Sequence, residues 1–142
     1  MEASARYLVF HGTIILLIGL LCGLPYARAI NRHAAAHVVH SWRVAHLSLP
    51  IGAILMFAVA TLLASFTVVG QIKQLITSLL IVSGYSFSVA LPLAALVGER
   101  GLSHGGSFKA QAVFAGNVLG AVTSLLASLT LIYAAFESLS SV

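Results

Sequence analysis

Histidine is the residue type through which this sequence could do chemistry. There are six: His11, His33, His37, His40, His46 and His104. Neutral imidazole is the commonest metal ligand and an axial ligand of haem iron. An ionisable side chain within a membrane is costly enough to point to function. Other reactive types are scarce. There is no Asp, the acids are Glu2, Glu99 and Glu137, and the one cysteine, Cys22, lies in an apolar run. An intrachain disulfide and a thiolate metal site are therefore excluded. Nothing resembles the row of intramembrane carboxylates that an ion path uses. The glycine-rich stretch 98–109 has neither GxGxxG nor GK[ST], so it carries no nucleotide-binding signature.

The histidines differ in setting. His11 opens the first apolar run and is followed by Gly12. It reads either as a ligand or hydrogen-bonding partner of a buried cofactor, or as an interfacial histidine bonded to a neighbouring helix. His33, His37 and His40 are spaced i, i+4, i+7, which on a helix is one stripe. That spacing suits a metal site, but no carboxylate accompanies it, and a solvated or headgroup-facing histidine face is the expected reading. His104 is expected to be solvated. His46 stands out: it lies one helical turn after Trp42, at the mouth of the second apolar run. An aromatic ring one turn away could flank a flat macrocycle held by that imidazole.

The elements that must position these residues follow from composition. Hydrophobic residues make up 60% of the 142 and charged residues only 7%, against about 25% charged in ordinary soluble domains. A soluble fold could not cover that much apolar surface, whereas a bilayer serves as its solvent. Four apolar runs have spanning length: about Leu8–Leu24, Val44–Gly70, Leu75–Val97 and Ala110–Phe136. Unpaired backbone groups are not tolerated in lipid, so the spans should be helices. The expected fold is all-α: one polytopic domain over residues 1–142, a four-helix transmembrane bundle. The first run is too long for a typical signal-peptide core and is expected to remain as a span. Pro25 is expected to stop it, Gln71–Gln74 to form a tight turn, and Pro92 to kink the third helix. Residues 30–46 lack Gly and Pro and are expected to extend the second helix outward.

Arg28, Arg32, Arg43, Arg100 and Lys109 flank one side of the spans, and Arg6 and Lys73 the other. The positive-inside rule then puts both long loops in the cytoplasm and both termini together outside, in the inner membrane of the cell. The net charge of +4 is scattered, which argues against a nucleic-acid partner. Small residues recur every fourth position at Ala112, Gly116, Gly120, Ser124 and Ser128, and Gly19 and Gly23 form a GxxxG pair. Such ridges let helices approach closely, within the bundle or between subunits. The likeness of residues 61–67 to residues 124–130 raises the idea of a duplicated hairpin. Asn117 is expected to make a helix–helix hydrogen bond.

Three pieces of the sequence resemble the styrene oxide isomerases, small integral-membrane proteins. They are the His11-Gly12 pair, the run Trp42-Arg43-Val44-Ala45-His46 followed by Pro50 and a long apolar helix, and Arg100-Gly101-Leu102 ahead of the fourth helix. The resemblance implies a four-helix protein that binds b-type haem and assembles as a trimer. Ferric haem would act as a Lewis acid, opening a hydrophobic epoxide to an aldehyde through a 1,2-hydride shift. It assigns the axial ligand to His46, with Trp42 and His11 as further candidates for contact with the cofactor. Where the family carries an asparagine and a tyrosine near the substrate, this chain has Gly52 and Leu91. From the residues alone two other readings stay open: a haem b membrane protein used for electron transfer or sensing, and a membrane subunit without cofactor.

Overall fold

The computed structural model describes residues 2–98 and 107–140. These form α1 (Ala3–Leu21), α2 (Gly23–Asn31), α3 (Ala36–Leu63), α4 (Gly70–Val97) and α5 (Phe108–Ser140). Helices α1 and α2 meet at Cys22 and together make one span, Ala3–Asn31, so four helices are long and apolar enough to cross a membrane. The protein is a multi-pass, all-α membrane protein, as its composition predicts.

Small residues are numerous in the core, beside fully buried Leu8, Ile15, Leu63 and Ile76. Small residues such as Ala45, Ala53, Ala60, Ala90, Ala127 and Ala134 are buried. Large ones such as Phe10, Leu17, Ile54, Leu96, Leu125 and Phe136 point outward. In lipid there is no gain from hiding apolar side chains from water, so close backbone contact between small residues holds the helices together. Helix α1 packs on α3 and α4, and α5 packs on α4 alone among the helices. The two expected glycine ridges both work inside the chain. A Cβ at Gly116 would stand 2.9 Å from that of Ala90, and one at Gly120 would stand 2.9 Å from the Phe87 ring. Gly19 receives Pro50 and Leu49 of α3. By contrast, Ala112 and Ser128 of the same ridge are exposed.

Several boundaries differ from the sequence expectation. Pro25 does not stop the first span. It falls in the first turn of α2, just after the Cys22 turn, where a residue without an N–H is tolerated. Helix α3 begins at Ala36, eight residues before Val44, which agrees with an outward extension of the second helix. That extension does not reach back to residue 30. The chain reverses at residues 32–35, and His33 adopts a left-handed conformation with φ 50°, one that histidine enters more readily than most non-glycine residues. His33 therefore stands outside the helix, and only His37 and His40 of the predicted stripe share one. The turn expected at Gln71–Gln74 lies instead at residues 64–69, and Gln71–Gln74 are the opening turn of α4. Helix α4 runs through Pro92 to Val97 and ends at Gly98, whose φ of 76° closes the helix by donating its N–H to the Ala94 carbonyl at 2.9 Å. Residues 61–67 span the end of α3 and the following turn, whereas 124–130 are mid-helix, so the two similar segments are not structural repeats.

The N-terminal and C-terminal stretches meet at the α3–α4 turn. Lys73, 9% exposed, pairs with the Glu2 carboxylate at 3.0 Å. The Thr67 N–H donates to Ser138 Oγ of α5 at 3.1 Å. The ion pair neutralises a lysine that would otherwise be a lone charge near the membrane edge, at a site where an unpaired buried cation is costly.

The α4–α5 contact generates the first prediction. Gly120→Leu should push Phe87 aside and lower stability in detergent by about 1–3 kcal/mol, the usual cost of overpacking. Ala112→Leu, on the exposed side, should leave it unchanged. Thermal unfolding of the two purified variants checks this, and equal melting temperatures would rule out the contact as a determinant of packing.

Candidate functional site

Helix α1 presents Gly12 and Gly19, and α2 opens with Gly23, along the side of the first span that meets α3. Gly12 lies under Phe57 and Met56, Gly19 under Pro50 and Leu49, and Gly23 under His46. A Cβ on Gly23 would stand 3.0 Å from His46 Cε1 and 3.2 Å from Nδ1. The missing side chain is what lets the imidazole lie directly against the α1–α2 backbone.

In that position His46 Nδ1 is 3.0 Å from the Gly19 carbonyl oxygen. A carbonyl only accepts, so Nδ1 carries the proton and donates it. The hydrogen bond fixes both tautomer and ring orientation, leaving Nε2 with its lone pair free. No hydrogen bond to Nε2 is formed among the described residues. This is the arrangement expected of a metal-ligating histidine, whose second nitrogen commonly donates to a backbone carbonyl. Tyr26 of α2 lies beside the ring, with centroids 6.0 Å apart and planes tilted by 31°. Pro50, four residues on, has no N–H to offer the His46 carbonyl, so α3 lacks a rung of its ladder at this residue.

The other predicted residues are spread over the bundle. Trp42 is partly buried and packs against the buried apolar cluster, while the ring set against His46 is that of Tyr26. Tyr26 is hidden in the sequence as long as Pro25 marks the end of the helix; the run Pro25-Tyr26-Ala27-Arg28, with proline in a first turn, is the available signal. His11 lies toward the other end of α1, where Nδ1 is 2.9 Å from Tyr85 Oη of α4. Tyr7, Phe10 and Tyr85 surround it, at ring centroid distances of 6.4, 5.1 and 5.6 Å. His11 and Gly19 are eight residues apart, roughly 12 Å of helix, so His11 and His46 do not converge. His33, His37 and His40 are exposed, and no cluster of three or more metal-ligating side chains occurs among the described residues. Arg100-Gly101-Leu102 and His104 lie outside the described residues.

A lateral cleft of about 410 Å³ opens between α3 and α5, floored by α4 and by Ile15 of α1. Its walls are mainly apolar and include Leu49, Leu55, Met56, Leu80 and Phe87. Ser83 contributes a hydroxyl, but it is committed to the Gly120 carbonyl at 2.8 Å. Gly52 lines this cleft, with nothing within 4 Å of the place where a Cβ would stand. Leu91 packs against the apolar core. At ~100° per residue, Gly52 is about 240° round α3 from His46. The imidazole meets α1 and α2, and the cleft opens on a different side of the same helix.

The family model for styrene oxide isomerase matches residues 4–136. That range takes in His11, Trp42, His46 and the whole cleft. No curated protein matches the chain. With nearly its full length matched by one family model, the chain belongs to the styrene oxide isomerase family.

Proposed function

We propose that this protein is a membrane-bound epoxide isomerase that holds b-type haem through His46 and converts a hydrophobic epoxide to an aldehyde. The observation that carries the reading is the His46 imidazole, tautomerically fixed by the Gly19 carbonyl and left with Nε2 available in an apolar membrane protein. The residues fit the group: Nε2 of His46 would hold the iron, and Tyr26 packs beside the ring that bears that nitrogen. When bound, ferric haem supplies a Lewis acid that draws electron density from an epoxide oxygen.

The chain's own contribution is positional and dielectric. The His46–Gly19 hydrogen bond keeps the ring from turning about its side-chain bonds. Leu49, Leu55, Met56 and Phe87 offer an apolar cleft in which a lipophilic substrate is held away from water. Exclusion of water keeps the opened epoxide from being hydrated to a diol, so that migration of hydride to the neighbouring carbon yields the aldehyde. The isomerisation is redox-neutral, and no proton is taken up or lost overall. With Gly52 in its wall, where the family carries a polar side chain, the cleft selects by shape and hydrophobicity.

Because His46 and the cleft face different sides of α3, a site that uses both is completed by a second copy of the chain. That favours a homo-oligomer, and the family resemblance indicates a trimer. Native mass spectrometry of the detergent-purified protein should give three times the 14.8 kDa chain mass plus bound haem; a monomer would require each chain to work with one of the two features alone. The basic end, with Arg28, Arg32, Arg43 and Lys109, faces the cytoplasm in this reading, and the ends of the chain lie together across the inner membrane.

The cofactor assignment is tested by absorbance. The purified protein should show a Soret band, His46→Ala should lose it, and His104→Ala should keep it. Gly23→Val should also reduce it, since the added methyls displace the imidazole. An unchanged Soret band in His46→Ala would overturn the assignment. Activity is tested by adding an aryl epoxide to the ferric protein and following aldehyde by gas chromatography. Turnover should fall when the iron is reduced, and turnover on styrene oxide itself should be slow. If no epoxide is converted and the spectrum reports two nitrogen ligands, electron transfer replaces isomerisation as the function.

A further inference from the structure

The corner between α2 and α3 has no part in the chemistry proposed above, yet it concentrates exposed cationic side chains. Arg28 and Arg32 stand one turn apart at the end of α2. His33 occupies the left-handed reversal, and His37, His40 and Arg43 follow along the first two turns of α3. All six are exposed. None has an ion-pair partner among the described residues. Across α1, α2 and α3, the elements packed around this corner, the only acid is Glu2, at the far end and paired with Lys73. The remaining titratable groups near the corner are Tyr26, against His46, and buried Cys22. Lys109, at the start of α5, adds charge of the same sign at this end of the bundle. Glu99, Arg100 and His104 lie outside the described residues.

The depth of the corner follows from length. The first span has 29 residues, or roughly 43 Å at 1.5 Å per residue. A bilayer's hydrocarbon core is about 30 Å thick, and its full width with headgroups about 40–45 Å. The excess at the Asn31 end therefore stands at headgroup level. Ile30, 46% exposed between Arg28 and Arg32, can stay in the acyl region while the arginines reach outward, as amphipathic edges do. The opposite end of the bundle is balanced, with Arg6 and Lys73 against Glu2 and Glu137. Charge asymmetry is thus built into the two ends.

We propose that the α2–α3 corner is a binding surface for anionic phospholipid headgroups. Arg28, Arg32 and Arg43 provide its positive charge, and no acid stands among them to offset it. The proposal depends on the chain spanning a membrane and not on haem or on isomerase activity.

The protein carries its own reporter. Trp42, the single tryptophan, lies on α3 between His40 and Arg43. The full-length protein is reconstituted in phosphatidylcholine nanodiscs containing a small fraction of either pyrene-labelled phosphatidylglycerol or pyrene-labelled phosphatidylcholine, and energy transfer from Trp42 is compared. The ratio of the two cancels quenching within the protein. The expected ratio is about two, in line with the attraction of each basic residue near an anionic surface. Arg28→Gln with Arg32→Gln should bring the ratio close to one. Equal transfer to both lipids in the unaltered protein overturns the binding surface. That reading comes from the natural sequence, so it stands even if a variant fails to fold.

Discussion

The close approach of α1 to α3 is the constraint on which the rest of the molecule depends. It is possible because Gly12, Gly19 and Gly23 present bare backbone to α3 over three turns. In a bilayer such contact has to come from fit, because burying leucine against leucine gains nothing over burying it against a lipid chain. The same contact sets the candidate site. Without a side chain at Gly23 the imidazole can lie against the backbone, and with the backbone that near, the Gly19 carbonyl is within hydrogen-bonding reach. Structure and site share one cause.

A second consequence is a division of labour between the helices. Helix α1 touches α3 and α4, and α5 touches α4 alone, which leaves a lateral opening between α3 and α5. A four-helix bundle that packed symmetrically would have no such cleft. Ser83 illustrates how a polar group is dealt with: its hydroxyl donates to the Gly120 carbonyl of α5, so it adds little polarity to the opening. The cleft remains a place for apolar matter.

Much of this was legible in the sequence, and what was not has physical reasons. The four spans follow from hydropathy, since lipid admits so few alternatives. The glycine ridges were visible as spacing, but spacing does not say which partner a ridge meets; Phe87 and Ala90 decide that for Gly120 and Gly116. Pro25 and the Gln71–Gln74 segment differ from their local signals because the surrounding helices decide their role. A proline just after a turn is harmless, and glutamines suit a helix start as well as a turn. His46 is singled out in the sequence by its placement after Trp42 and by family likeness. Its fixing by Gly19 is not legible there, because a backbone carbonyl leaves no mark in a sequence. Tyr26 was hidden for the related reason that its position depends on α2 continuing past Pro25.

The partner chosen for His46 Nδ1 bears on how strongly the ring can give electrons. A carboxylate in that place would draw the proton toward itself and make the imidazole partly imidazolate, a strong σ-donor. A backbone carbonyl is neutral and draws the proton far less. The ring of His46 is thus a moderate donor, and a cation bound at Nε2 would keep more of its own positive charge. Electron-rich iron suits the cleavage of oxygen–oxygen bonds. Electron-poor iron suits a lone pair arriving from outside, and under the proposed haem binding a single backbone oxygen, that of Gly19, would set the balance toward the second.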